Sequence, residues 1–171
     1  MRKILDSTPD HLVYDPLDEY HGYRRYIPTD RQSADELNKL INDLVIPRKP
    51  KLFIVDEANK WIRPKPTPLP SGVADLNDMG RHFGIACGWV CRRMTQMNTD
   101  IVELSNHLFF FKLSGKNDYV YMENLHQGLG DAVRNLGPYE FVSLTNGSEM
   151  EVHPPVDAPI HAVHTGVTVK V

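Results

Sequence analysis

The chain has 171 residues, 41% of them hydrophobic and 24% charged, with a net charge of −3. That balance fits one globular domain with a sizeable core and excludes a disordered chain or one that is basic throughout, though not a local basic face. The longest apolar run, residues 108–111 (LFFF), is far too short to cross a bilayer, and the start MRKILDSTPD has no apolar run behind its two basic residues, so neither a membrane partner nor a secretory signal is expected.

Taken in order, the segments alternate between strand-like and helix-like. This is the pattern of an α/β protein with a mainly parallel sheet flanked by helices. Residues 11–15 (HLVYD) read as a short strand ending at an acid before Pro16. Residues 33–44 predict the clearest helix: Ser33 and Glu36 have capping-box spacing, Leu37, Leu40, Ile41 and Leu44 form one apolar stripe, and Pro47 and Pro50 stop it. Residues 51–56 (KLFIVD) are an unbroken apolar run ending in an acid, as a strand covered on both faces should be. Residues 63–72 (RPKPTPLPSG) carry four prolines at alternate positions, with Arg63 and Lys65 and no acid. They read as a stiff, extended loop, either a plain connector or a segment that touches a neighbour or a polyanion.

Residues 73–83 predict a helix with Val73, Leu76, Met79 and Phe83 on one side, and residues 84–91 (GIACGWVC) a third buried strand. Its cysteines, Cys87 and Cys91, share a face but lie too far apart to bridge, so free buried thiols and a reducing, cytosolic compartment are expected. Residues 99–104 predict a short helix, 107–113 (HLFFFKL) a fourth strand, and 118–125 and 131–136 helical turns stopped by Gly137 and Pro138. Residues 139–144 and 148–153 flank Asn146–Gly147, a strong hairpin signal. The V-x-V-x-V ending of residues 162–171 suggests one more strand. The whole chain, 1–171, reads as a single domain with its core at about 10–137 and a hairpin and tail at 138–171.

The chemistry concentrates in Asp56 and Glu57, two adjacent acids at the end of a buried strand. In an open parallel sheet such a position faces the crevice where ligands bind. The first acid suits a ligand of magnesium, and the second a base that orients water against a terminal phosphate. The competing reading is a helix start whose acids favour the N-terminal dipole.

The surrounding motifs bear on that choice. HLVYDPLDEY (11–20), KLFIVDEANKW (51–61) and LNDMGRHFGIACGWVCRRMTQMNTDIVELSNHLFFF (76–111) occur in an order and spacing that resemble the HerA/FtsK family of DNA-pumping ATPases, phage and viral members included. Asp15, Pro16, Glu19 and Tyr20 match that family's DP–EY strand end. Asp56, Glu57, Ala58 and Asn59 match its Walker B strand, and Gly80, Arg81, His82, Phe83 and Gly84 its GRKYG segment. Cys91, Arg92, Arg93, Met94 and Thr95 match its TQRPS sensor, and Asp100, Ile101 and Asn106 its DI…N segment. The resemblance covers roughly residues 10–156. It implies a RecA/HerA-like P-loop NTPase core with ATP and Mg2+ as cofactors. Asp56 would hold the metal, Glu57 polarise water and Arg92 sense phosphate, with Asp15, Asp56 and Arg92 around the nucleotide. Arg81 either reaches a neighbour's nucleotide in a ring or is an exposed helix-end arginine. DNA, further copies in a ring or an active homologue are the implied partners, in the host cytoplasm if the gene is phage-encoded.

Three departures qualify this. No G-x-x-x-x-G-K-[ST] occurs in the 171 residues; Ser114–Gly115–Lys116 lacks the glycine spacing and the trailing hydroxyl. The core is therefore expected without its first strand and phosphate loop, either as a shortened relative, or with that part upstream of Met1, or with it supplied by another chain. Binding of nucleotide by this chain alone is then doubtful, and a weak or inactive ATPase, or a non-catalytic module of a phage or mobile element, is the expectation. Second, Arg92 stands where the family has glutamine, bringing a fixed charge toward a phosphate or another carboxylate. Third, Asn59 replaces a histidine. A missing inner strand leaves backbone groups that cost about 1–3 kcal/mol each if unsatisfied. Direct pairing of residues 84–91 with 107–113 is the first expectation for closing the gap, then insertion of the C-terminal tail, then another chain. His153, His161 and His164 read as a surface loop rather than a metal site.

Overall fold

The computed structural model describes residues 1–156. They form two compact units, Met1–Arg92 and residues 93–156. The first unit runs α1 (Arg2–Ser7), β1 (His11–Tyr14), β2 (Arg25–Tyr26), α2 (Asp35–Leu40) widening into a π-helical turn at Ile41–Val45 and ending as α3 (Ile46–Arg48), β3 (Leu52–Val55), a 3-10 turn at Ala58–Lys60, α4 (Ser71–Phe83) and β4 (Ala86–Trp89). All pairings are parallel, in the order β2-β1-β3-β4. The apolar runs HLVY and LFIV are buried at every position, as inner strands covered on both faces must be. Leu5 of α1, with Tyr20, covers Val13, Leu52 and Ile54. On the other face α4 approaches closely: a Cβ on its Gly80 would lie 3.5 Å from Cys87 Sγ of β4. Burial pushes the thiol of the half-buried, free Cys87 up to about 12, so its thiolate is disfavoured.

Two helix expectations are corrected. Ser33 and Glu36 form no capping box: the Glu36 carboxylate turns back to accept from the Tyr26 hydroxyl and the Thr29 and Asp30 N–H groups, and the helix begins at Asp35. Pro47 does not stop the helix either. It lies inside α3, and the π-helical turn just before it relieves the clash and the lost donor that a proline imposes; Lys49, left-handed at φ 50°, ends the run.

Helix α4 starts earlier than expected, at Ser71, because Asn38 of α2 caps it. The Gly72 N–H donates to Asn38 Oδ1 at 2.6 Å, and a Cβ on Gly72 would sit 2.9 Å from that oxygen and 3.0 Å from Ile41 Cγ2. Gly72→Val is expected to lower stability by about 1–3 kcal/mol, read as a lower urea midpoint with an unchanged slope.

The second unit runs from a 3-10 turn (Met94–Gln96) through α5 (Thr99–Glu103), β5 (His107–Phe111), α6 (Lys116–Leu125), α7 (Leu129–Arg134), β6 (Phe141–Thr145) and β7 (Glu149–His153). Its sheet is antiparallel, β5-β6-β7. The inner face buries Phe110, Val142 and Leu144 against Met122, Leu129 and Val133 of α6 and α7. Asn146 and Gly147, at φ 51° and 70°, close the expected hairpin between β6 and β7. Buried Asp118 near the start of α6 ties down the preceding segment: it accepts from the Thr95 N–H and hydroxyl and from Arg93.

The expected pairing of residues 84–91 with 107–113 is not what forms. Strand β5 takes β6 as its partner, antiparallel, because the hairpin and its two helices bury the aromatic strand locally. Among the described residues β4 therefore pairs only with β3, and it is half-exposed rather than buried. The tail strand at 162–171, and with it His161 and His164, lies outside the described residues; His153 bonds Ser143 instead. Among the described residues no helix is long and apolar enough to cross a membrane.

Candidate active site

Because β1, β3 and β4 are parallel, their C-terminal ends share one edge of the sheet, the edge at which open α/β sheets bind ligands. It carries Asp15 after β1, Asp56 and Glu57 after β3, and Arg92 beyond β4. All three acids are buried.

Asp15 is fully enclosed. Its Oδ1 accepts the Glu19 N–H at 3.0 Å and its Oδ2 the Tyr20 N–H at 2.9 Å, while Arg25 Nε stands 3.5 Å from Oδ2. Its carboxylate thus shapes the loop that follows β1. That loop brings Glu19 and Tyr20 within electrostatic reach of Asp56. Burial first, then the charges of Glu57, Glu19 and Asp15, hold the Asp56 carboxyl above its ordinary range, against the opposing pull of the Glu57 N–H. Tyr20 is likewise pushed up, by burial and then by Asp56 and Asp15. Asp56 therefore lies where negative charge is concentrated and poorly solvated.

Glu57 adopts φ 50° and ψ 36°, a left-handed conformation that costs a non-glycine residue about 1–2 kcal/mol. The reversal sends the Ala58 N–H back to the Val90 carbonyl at 2.7 Å, fastening the turn to the end of β4. Arg92 Nε donates to Glu57 Oε1 at 2.5 Å. Of the two targets open to Arg92, the structure pairs it with a carboxylate. Its side chain is 72% exposed against 11% for Glu57, so screening keeps the pair weak and the arginine is able to leave.

Arg81 sits apart from this cluster. It is exposed on the last turn of α4, ahead of β4, and so belongs to the N-terminal edge of the sheet, where the helix dipole favours a cation. Asn59 is half-buried in the Ala58–Lys60 turn. Sequence reasoning missed Arg25 as a partner of Asp15, and it missed the Ala58–Val90 fastening, which has no side-chain signature. Glu19 and Tyr20 stand in the matched DP–EY motif, but only the loop's path brings them within electrostatic reach of Asp56.

Among the described residues no three His, Cys, Asp or Glu side chains converge as a self-sufficient metal cage. Mg2+ does not require one: it keeps several waters and uses one or two carboxylates plus substrate phosphates. The oxygen-only pair Asp56–Glu57 fits that pattern.

Comparison of the fold with solved structures is decisive for its class. The chain is similar to the genome packaging NTPase B204 of Sulfolobus turreted icosahedral virus 2 in complex with ATP-gammaS, at TM-score 0.77 and 15% identity over 90% of this chain and 87% of that one. The fold is that of the P-loop NTPases. B204, the DNA-packaging ATPase of Sulfolobus turreted icosahedral virus, matches at TM-score 0.76 and 17% identity with the same coverage. The N-terminal domain of zonular occludens toxin from Neisseria meningitidis matches at TM-score 0.52 and 11% identity, over 88% and 81% of the two chains. No family model and no curated protein matches the chain. The C-terminal ends of the parallel strands make the edge bearing Asp56, Glu57 and Arg92, and not the opposite one, the candidate ligand site.

Proposed function

We propose that this chain is the core of a DNA-translocating or genome-packaging ATPase of the HerA/FtsK type, acting in the cytoplasm, that of the host if phage-encoded, and working in a ring. The observation that carries this reading is the buried Asp56–Glu57 pair at the C-terminal edge of a parallel sheet, with an arginine poised on the second acid. Asp56 is the metal-holding carboxylate; bound Mg2+ neutralises charge on phosphate oxygens. Glu57 orients the attacking water. Arg92 now occupies Glu57 Oε1, which leaves Oε2 for that water, and its fixed charge serves a phosphate once it swings away. Arg81, on the opposite edge, is the candidate to reach a neighbouring copy's nucleotide. Asp15 acts on the nucleotide only through the loop it shapes. The phosphate cradle has to come from outside the described residues, and the open side of β4, beside Arg92, is where a strand carrying it would join.

That same open side and the Arg92–Glu57 pair favour a second reading, in which the chain is a non-catalytic module that binds an active homologue. One experiment separates them. Phosphate release from ATP is measured with Mg2+, with and without DNA, for the wild type and Glu57→Gln, each supplied with a phosphate loop by fusion to, or mixing with, a loop-bearing segment. The ATPase reading expects Mg2+-dependent release that falls about a hundredfold or more in the variant. Absence of both nucleotide binding and release with the loop supplied, or release that Glu57→Gln leaves unchanged, assigns the chain to the module reading.

A further inference from the structure

Among the described residues no helix covers the outer face of the β5-β6-β7 sheet. Its three rows, set by the register, are His107–Thr145–Glu149, Phe109–Ser143–Glu151 and Phe111–Phe141–His153. Phe109 and Phe111 are each 53% exposed; Phe109 meets Phe141 edge-on at 6.1 Å and Phe111 lies tilted against it at 5.5 Å between ring centres, while His153 stacks on Phe141 at 4.6 Å. Tyr139, 83% exposed, stands at the same end. Exposed aromatic clusters of this kind mark interaction surfaces. The acids Glu149 and Glu151 border it on β7, and residues 93–156 hold eight acidic against four basic side chains. A polyanion is therefore disfavoured here, and a basic, apolar partner is favoured.

The chain itself displays such a segment. Residues 63–68 (RPKPTP) are exposed without a break, and from Ala58 to Ala74 there are three basic residues and no acid. A turn in which the Thr67 N–H donates to the Pro64 carbonyl pre-orders it. A proline-rich turn that is already ordered has little conformational freedom to lose on binding, and its rings offer apolar surface to aromatic faces. We propose that the proline-rich basic loop of one copy docks on the aromatic, acid-bordered face of a second copy. Loop and face are different surfaces, so the contact is head-to-tail and repeats around a ring or along a filament. This goes beyond the nucleotide chemistry and does not depend on it.

The test is complementation, followed by sedimentation velocity on the whole chain. One variant carries Phe109→Thr and Phe111→Thr, which keep strand propensity at exposed sites; the other carries Arg63→Glu and Lys65→Glu. Circular dichroism checks that each folds, and Glu149→Lys with Glu151→Lys replaces the first variant if it does not. The wild type is expected to associate with rising concentration. Each variant alone is expected to associate about tenfold more weakly or worse, while their equimolar mixture forms a 1:1 dimer, because one intact loop meets one intact face. A monomeric wild type, or a mixture no better than its components, overturns the proposal. So does a face variant that loses affinity for a fluorescent single-stranded oligonucleotide while its sedimentation stays unchanged.

Discussion

Asp15→Ala is expected to lower stability by about 3–5 kcal/mol, with the thermal midpoint falling by roughly 10 °C. Asp15 has no exposed surface, and its two oxygens serve the Glu19 and Tyr20 N–H groups. Alanine leaves both donors without a partner in a place water does not reach, at about 1–3 kcal/mol each. Arg25 keeps Asp18 at 2.7 Å and the Tyr20 carbonyl at 2.9 Å, so it adds little to the loss. The damage does not stay local: Tyr20 packs with Leu5 and Val13, and it also lies within electrostatic reach of Asp56. Asp15→Asn retains one acceptor and is expected to fall between the two. Urea melts without Mg2+ check this. A variant whose stability differs from the wild type only when Mg2+ is present would make Asp15 a direct metal ligand instead of a loop anchor.

What the sequence makes legible here follows from which interactions are local. The inner strands HLVY and LFIV announce themselves because a strand buried on both faces has nowhere to place a polar residue. Asn146–Gly147 announces its hairpin because few other pairs accept two positive φ angles in succession. Asp56 and Glu57 are legible for the same reason, as charges standing directly against an apolar run. The errors come from contacts between distant residues. Glu36 had a local partner three residues before it and took Tyr26, Thr29 and Asp30 instead, which together satisfy more donors. The aromatic strand β5 fits a parallel or an antiparallel sheet equally well by composition, and its partner was decided by a hairpin some thirty residues further on. The Glu57 backbone reversal and its Arg92 partner depend on how β3 and β4 lie side by side, which no spacing within either strand encodes.

Asp56→Asn is expected to act in opposite directions on stability and on activity. The folded Asp56 carboxyl has a raised pKa, from burial first and then from Glu57, Glu19 and Asp15. Folding therefore favours the protonated form. The stability contributed by that proton is fully present below the ordinary carboxylate value and is lost as pH rises through the raised one. At neutral pH the ionised side chain is a net cost, which the neutral, nearly isosteric amide removes while still accepting the Glu57 N–H. The variant is expected to gain roughly 0.5–2 kcal/mol at pH 7, a gain that shrinks toward pH 4 as the wild type takes up its proton. The Mg2+-dependent phosphate release expected above should drop about a hundredfold or more, since an amide holds a hard cation far less well than a carboxylate does. Urea midpoints of both proteins at the two pH values, with and without Mg2+, carry the test. Added Mg2+ should narrow the neutral-pH gap by stabilising the wild type alone. A variant less stable than the wild type at pH 7 in the absence of any divalent ion would mean that the carboxylate is already compensated by the protein, and the edge would then have no unmet charge with which to attract a metal.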